Sequence, residues 1–180
     1  MGTKQQFILL TGVPGSGKTK IGERLRGENF KFDFFPTDPD INWSEFRQEV
    51  ALGVGDFVNR WYQRHGDKVC LEWGFDPFGK NSFGQSFLDE ILSFKDQGAK
   101  IFWLTYDKRI AYFNYVKKNA IKDPSGICWE IQMNKIEYVG LPTSDFIIIQ
   151  THPYGKPKLP EELAREILSA ARNANNSDNF

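Results

Sequence analysis

The apolar residues of this chain gather in five short runs that are separated by longer segments of mixed polarity. Each run is rich in Ile, Val, Leu and Phe, and three of them stop directly at Gly or Pro. This pattern is typical of buried β-strands. The predicted strands are residues 7–11, 30–35, 68–73, 100–105 and 145–150.

The segments between the strands repeat apolar residues every three or four positions, which indicates helices with one buried face. Ser44 and Ser82 are suitable N-caps for two of them, and Gly98 stands where the second should end. Gly53 and Gly55 weaken the helix that starts at Ser44. The predicted helices are residues 18–26, 44–65, 82–98, 108–119, 127–138 and a last helix that starts at Pro160.

Strands that alternate with helices predict an α/β fold in which a parallel sheet is covered by helices on both faces. A length of 180 residues predicts a single domain over residues 1–180, with an Asn-rich tail at 173–180 that we expect to be frayed. Ligands of such sheets bind beyond the carboxyl ends of the strands. The residues that follow each strand are therefore the candidates for function.

Charge and composition narrow the choice of partner. Lys and Arg number 23 and Asp and Glu number 23, so nucleic acid is not the favoured partner, although the balance leaves room for a local basic patch. No apolar run approaches the ~18 residues of a spanning helix, and no signal peptide is recognisable, so we expect no membrane partner and a cytoplasmic location. Cys70 and Cys128 have apolar neighbours and are predicted to be buried free thiols.

A complete G-x-x-x-x-G-K-[ST] motif follows the first predicted strand and opens the first predicted helix. Glycines let backbone N–H groups converge on phosphate oxygens, and the helix presents its positive end to the same anion. In this motif the lysine contacts the β- and γ-phosphates and the hydroxyl binds Mg²⁺. The predicted phosphate loop consists of Gly12, Val13, Pro14, Gly15, Ser16, Gly17, Lys18 and Thr19.

The motif GVPGSGKT and the five-strand pattern resemble the P-loop kinase group, which contains nucleoside, gluconate, shikimate and chloramphenicol kinases and the polynucleotide 5′-kinases. The resemblance implies a three-layer α/β/α fold with five parallel strands in the order 2-3-1-4-5. It also implies a helical lid at about residues 108–140, between the fourth and fifth strands. ATP and Mg²⁺ are the cofactors that it implies.

Acidic residues follow the second and third predicted strands. In similar kinases an Asp at the first of these places accepts the proton of the attacking hydroxyl or helps to hold Mg²⁺, which favours Asp38, with Asp40 second. A plain Asp-Pro turn is the alternative. Glu72 stands in an otherwise apolar strand, where a carboxylate is costly unless a metal or a cation pairs with it. We therefore expect Glu72 to orient Mg²⁺, with Asp76 as the substitute.

Basic residues follow the fourth strand, in the predicted lid. Related kinases carry Arg in this region, where it neutralises charge in the transition state. Arg109 and Lys117 are the catalytic candidates here, although lids of this group often have Arg where Lys117 or Lys118 stands. Ordinary solvated helix charges are the alternative interpretation.

These features together predict an ATP-dependent phosphotransferase. Lys18 and Mg²⁺ would hold the γ-phosphate, Asp38 would activate the acceptor, and the lid cations would stabilise charge. The acceptor would be a hydroxyl or phosphate of a small molecule or nucleotide. A 5′-hydroxyl polynucleotide kinase and an ATP-binding switch or ATPase without an acceptor are the alternatives.

Overall fold

One parallel sheet forms the centre of the protein. The computed structural model describes residues 5–33, 49–50, 52–73, 84, 86–139 and 144–177. Within these residues five strands pair in parallel in the order β2-β3-β1-β4-β5. The strands are β1 Gln6–Gly12, β2 Lys31–Asp33, β3 Lys68–Glu72, β4 Lys100–Leu104 and β5 Ile147–Ile149. The predicted α/β class with a parallel sheet is confirmed.

Six α-helices accompany the sheet in the described part of the chain. The helix predicted over residues 44–65 differs most, because it is interrupted before an α-helix that begins at Val54; the predicted cap, Ser44, lies outside the described residues. Val50 and Leu52 are also helical, but the backbone of Gly53 is extended and interrupts the helix. Glycine loses more conformational entropy than other residues when it becomes helical, which explains why the helix is interrupted at Gly53. The helices are α1 Lys18–Arg26, α2 Val54–His65, α3 Phe87–Asp96, α4 Lys108–Lys118, α5 Ile127–Val139 and α6 Pro160–Ser177.

Two further helix ends differ from the prediction. The cap of α3 is Ser86, whose hydroxyl oxygen accepts a hydrogen bond from the Asp89 amide at 3.0 Å. The predicted cap, Ser82, lies outside the described residues. Helix α6 continues to Ser177, so residues 173–177 are helical although the composition predicts a frayed tail. None of the described helices is both long and apolar enough to cross a membrane.

The core has two halves, one on each face of the sheet. Alternate residues of β1 point to opposite faces, so Phe7 and Leu9 pack with α2, α3 and α5, whereas Ile8 and Leu10 pack with α1 and α6. Burial on both faces explains why β1 is a continuous apolar run. The sheet ends that carry the candidate residues are therefore held between two packed layers.

The two cysteines differ in exposure. Cys70 in β3 is buried, as predicted, but Cys128 is exposed, so the prediction for it is wrong. Cys128 is the second residue of α5, where Trp129 faces the core and is only 2% exposed. Successive residues of a helix project about 100° apart, so the inward direction of Trp129 turns Cys128 towards solvent.

The turn between α4 and α5 provides a test of how closely the two helices pack. Gly126 has φ +70°, and a Cβ there would lie 2.5 Å from the ring of Tyr112. That ring is held at 5.4 Å from the ring of Trp129, and its hydroxyl donates to the Ser125 carbonyl at 3.0 Å. We expect Gly126→Ala to lower the free energy of unfolding by about 2–4 kcal/mol, because a clash adds to left-handed strain.

The matched control is Gly98→Ala, because Gly98 has φ +82° but a Cβ at this position would meet no neighbouring atom within 4 Å. This variant has the backbone strain without a clash, and its free energy of unfolding should fall by about 1 kcal/mol. Urea unfolding of the two variants measures the difference. Equal losses of unfolding free energy in the two variants would show that the Tyr112 ring moves aside at no cost and does not hold the turn between α4 and α5 in place.

Candidate functional site

The predicted phosphate loop connects the end of β1 to the start of α1, in the strand–loop–helix order that the motif requires. Gly12, Gly15 and Gly17 have φ values of +145°, +86° and +96°, which side chains rarely permit. Gly17 is the N-cap of α1, and no side chain caps the amides that follow. The first turn of α1 therefore presents backbone donors and the positive end of the helix to an anion.

Lys18 lies inside the loop rather than in solvent, with 6% of its surface exposed. Its Nζ donates to the carbonyls of Gly12 and Val13 at 3.0 and 2.9 Å, and lies 4.0 Å from Glu72 Oε1. Burial lowers the pKa of Lys18 below its ordinary value; the charge of Glu72 opposes this effect, and the charge of Lys118 adds to it. The loop thus holds a desolvated ammonium group at its centre.

Two oxygen ligands meet beside this ammonium group. The hydroxyl of Thr19, in the first turn of α1, donates to Glu72 Oε2 at 2.8 Å. Glu72 is the last residue of β3 and is partly buried, which sequence reasoning expected to require a cation or a metal. A hydroxyl and a carboxylate are hard oxygen ligands of the type that Mg²⁺ prefers. Thr19 and Glu72 therefore fit a magnesium ion by their chemistry.

Two hydroxyls near the loop have no protein partner in the described residues. The Oγ1 of Thr11 and the Oγ of Ser16 are buried, and neither makes a hydrogen bond there. A buried hydroxyl without a partner costs about 1–3 kcal/mol, so such groups mark places where a polar ligand or a water molecule belongs. Ser16 is part of the loop itself, which supports polar ligand binding in the glycine cradle.

One face of α4 lies against the loop. A Cβ on Gly15 would be only 2.1 Å from the carbonyl oxygen of Ala111, and Asn114 Nδ2 donates to the Gly15 carbonyl at 3.2 Å. Residues 111, 114 and 118 follow the three-and-four spacing of one helix face. Lys118 is therefore on the side of the loop, in agreement with its effect on the pKa of Lys18.

The lid cations predicted from the sequence lie elsewhere on α4. Lys117 precedes Lys118 by one residue and so projects about 100° away around the helix. Arg109 is exposed and lines a groove of about 410 Å³ between α4 and α5, together with Tyr112 and Met133. Asn114 was missed by the sequence reasoning, and Lys118 was noted there only as a position where related lids often have Arg. Their side of the helix follows from the contact between Ala111 and Gly15, which only the structure shows.

Helix α5 also contacts the loop. The indole Nε1 of Trp129 donates to the Pro14 carbonyl at 2.9 Å. The sequence reasoning did not single out Trp129, because an aromatic residue in an amphipathic helix is usually a core residue. The acidic candidates Asp38, Asp40 and Asp76 lie outside the described residues.

No protein-family model matches this chain, and no curated protein matches it significantly. Solved structures do match it. A gluconokinase from Sinorhizobium meliloti 1021 is 13% identical with a TM-score of 0.56, over 96% of this chain and 95% of that one. A sugar kinase from Janibacter sp. HTCC2649 is 14% identical with a TM-score of 0.55, over 92% and 93%.

An uncharacterized protein from Eubacterium ventriosum ATCC 27560 is 14% identical with a TM-score of 0.56, over 94% of this chain and 99% of that one. The similarity extends over nearly the whole length of each chain. At these identities it shows the fold, and this chain has a P-loop kinase-like fold.

The lowered pKa of Lys18 predicts a pH-dependent stability. In the unfolded chain the lysine keeps its proton up to about 10.5, whereas the folded protein releases it at lower pH. Between these two values the unfolded state binds more protons, so folding stability rises with pH. We expect the wild type to gain stability relative to Lys18→Met across this window, by up to about 1.4 kcal/mol per pH unit.

Urea unfolding at a series of pH values from neutral to 10.5 measures this difference. Lys20→Met removes an exposed lysine of the same helix and controls for the change in net charge. A difference between wild type and Lys18→Met that stays constant over the whole series would contradict a desolvated ammonium group at this position.

Proposed function

We propose that this protein is an ATP-dependent phosphotransferase, which moves the γ-phosphate of ATP to a hydroxyl or phosphate group of a small molecule or nucleotide. The proposal rests on one observation above all. Inside a glycine loop, the buried ammonium of Lys18 lies beside Glu72, and Glu72 accepts a hydrogen bond from Thr19. A cation, a carboxylate and a hydroxyl meet where α1 begins, which is the arrangement that a nucleotide phosphate chain with Mg²⁺ requires.

Each part of the cluster has a role in this proposal. The loop amides and the first turn of α1 bind phosphate oxygens, and Lys18 leaves its two carbonyl partners to contact the β- and γ-phosphates. Thr19 and Glu72 would hold Mg²⁺, which neutralises phosphate charge when it is bound. Ser16 gains a partner for its buried hydroxyl.

Asp38 is the proposed base for the acceptor, with Asp40 as the second candidate. Both follow β2, whose last residue, Asp33, pairs with Leu71 of β3, next to Glu72. The end of β2 therefore lies beside Glu72 in the sheet. An acceptor hydroxyl loses its proton as the new bond forms, and a carboxylate near the phosphates can take it.

Sugars and sugar acids are the acceptors to test first, because structures that match this chain include a gluconokinase and a sugar kinase. The first experiment measures ADP production from Mg²⁺-ATP with pooled acceptors. The pools are sugars and sugar acids, nucleosides, nucleoside monophosphates, aminoglycoside and chloramphenicol-like antibiotics, and 5′-hydroxyl oligonucleotides. We expect one pool to raise turnover at least about tenfold, which corresponds to roughly 1.4 kcal/mol of barrier.

Lys18→Ala should abolish that stimulation, and Lys20→Ala is the matched control on the same helix. Retained transfer by Lys18→Ala would refute the mechanism. Stimulation by the oligonucleotide pool alone would identify a polynucleotide 5′-kinase. A flat response in every pool, with ATP bound, would favour a nucleotide-dependent switch.

The choice of lid cation gives a separate prediction. Arg109 and Lys117 are the candidates from the sequence, but the position of Lys118 on the loop side of α4 favours Lys118 as the residue that stabilises the transferring phosphate. We expect Lys118→Met to lower kcat by about 100-fold, as the loss of an electrostatic donor to the transition state does.

Lys117→Met is the matched control one residue away, and Arg109→Met tests the groove between α4 and α5. In both variants kcat should fall much less than in Lys118→Met. A larger loss of kcat in Lys117→Met than in Lys118→Met would return the catalytic role to Lys117.

A further inference from the structure

Helices α4 and α5, which we call the helical pair, donate hydrogen bonds to the tip of the phosphate loop, Pro14 and Gly15. Trp129 of α5 donates its indole N–H to the carbonyl of Pro14 at 2.9 Å. Asn114 of α4 donates its amide N–H to the carbonyl of Gly15, the next residue, at 3.2 Å. Two consecutive loop carbonyls are thus bound by two side chains from different helices.

The contact is closely packed. Trp129 is 2% exposed and belongs to the same core cluster as Val13 of the loop and Ala111 of α4. The backbone of Ala111 approaches Gly15 so closely that no side chain would fit between them. The helical pair is therefore part of the core beside the loop. Because the packing is close, a movement of the loop tip must also displace residues of both helices.

The two hydrogen bonds act on the loop amides through the peptide planes. A trans peptide unit directs its C=O and its N–H in opposite directions. The carbonyl of Pro14 shares a unit with the Gly15 N–H, and the carbonyl of Gly15 shares one with the Ser16 N–H. Donors on the outside therefore turn these N–H groups away from the helical pair. The Ser16 amide donates to the Val13 carbonyl at 3.2 Å, so its acceptor in the structure belongs to the loop itself.

We propose that Trp129 and Asn114 are positioning residues for phosphate binding. They hold the carbonyls of Pro14 and Gly15 so that the Gly15 amide faces the phosphates and the Ser16 amide exchanges the Val13 carbonyl for a phosphate oxygen when phosphate binds. A hydrogen bond to a carbonyl also polarises its peptide unit and makes the N–H a better donor. The inference rests on the proposed function, because it requires phosphates in the loop.

The indole is itself held in place. Its ring meets the Tyr112 ring edge-on at 5.4 Å, and the Tyr112 hydroxyl donates to the Ser125 carbonyl, at the turn between the two helices. Trp129 therefore reaches the loop from a fixed position. Phenylalanine at residue 129 keeps the aromatic packing and removes only the N–H donor and part of the ring.

Trp129→Phe and Asn114→Leu test the proposal, with calorimetric titration of two probes, Mg²⁺-ATP and inorganic tripolyphosphate. We expect each variant to bind both probes about fivefold more weakly, which is the effect of one lost hydrogen bond. The loss should be equal for the two probes, because tripolyphosphate has no base or sugar. A folding defect is detected separately, because it lowers the melting temperature of the variant.

Matched controls come from α2, which follows β2 rather than the loop in the chain. Trp61→Phe makes the same substitution at a buried tryptophan that stacks on Phe57, and Asn59→Leu makes the other at an exposed asparagine. Both should bind the two probes as the wild type does. Asn114 is exposed, so Asn114→Leu should fold even if Trp129→Phe is destabilised, and melting temperatures check this.

A spectroscopic measurement follows the same contact in the wild type. The indole ¹H–¹⁵N resonance of Trp129 is identified by its disappearance in Trp129→Phe. We expect this resonance to shift when tripolyphosphate binds, because its acceptor is a carbonyl of the loop.

The outcomes separate the two claims. If the wild type binds both probes and the folded variants bind them equally well, the positioning role is wrong. Weaker binding of ATP with unchanged binding of tripolyphosphate would also overturn it, because the residues would then act on the base or sugar. A wild type that binds neither probe would overturn the proposed function, and this inference with it.

Discussion

The burial of one positive charge is the constraint on which the rest of the site depends. Lys18 is held inside its loop by the carbonyls of Gly12 and Val13 and by the nearby carboxylate of Glu72. An ammonium group out of water is costly unless such partners surround it. These groups hold the cation inside the loop.

The sheet supplies these partners from separate parts of the chain. In the parallel register Leu10 of β1 pairs with Glu72 of β3, and Gly12 pairs with Leu104 of β4. The central position of β1 therefore places the loop between the carboxylate on one side and the start of the α4 segment on the other. Because β1 is buried on both faces, it is a rigid base from which the loop can present its amides.

Local signals were sufficient for most of the elements, and long-range packing decided the exceptions. The run at β1 and the glycine loop are local patterns, and the structure contains both. The start of α2 at Val54 could not be placed exactly, because propensity weakens a helix at Gly53 without saying whether it breaks. Cys128 was wrongly predicted to be buried, because its apolar neighbours in the sequence do not reveal which side of α5 faces the core. Lys117 and Lys118 likewise differ only in direction around α4.

The chain's own residues specify the chemistry of the loop, since glycines, a lysine and a threonine at fixed spacing act within a single turn. Periodicity also specifies that strands and helices alternate, because each element buries its own apolar face. Folding alone decides what surrounds the loop. Trp129 and Asn114 bind Pro14 and Gly15 across 115 and 99 residues of sequence, and Glu72 meets Thr19 across 53. Such contacts depend on strand order and helix packing, which no local pattern contains.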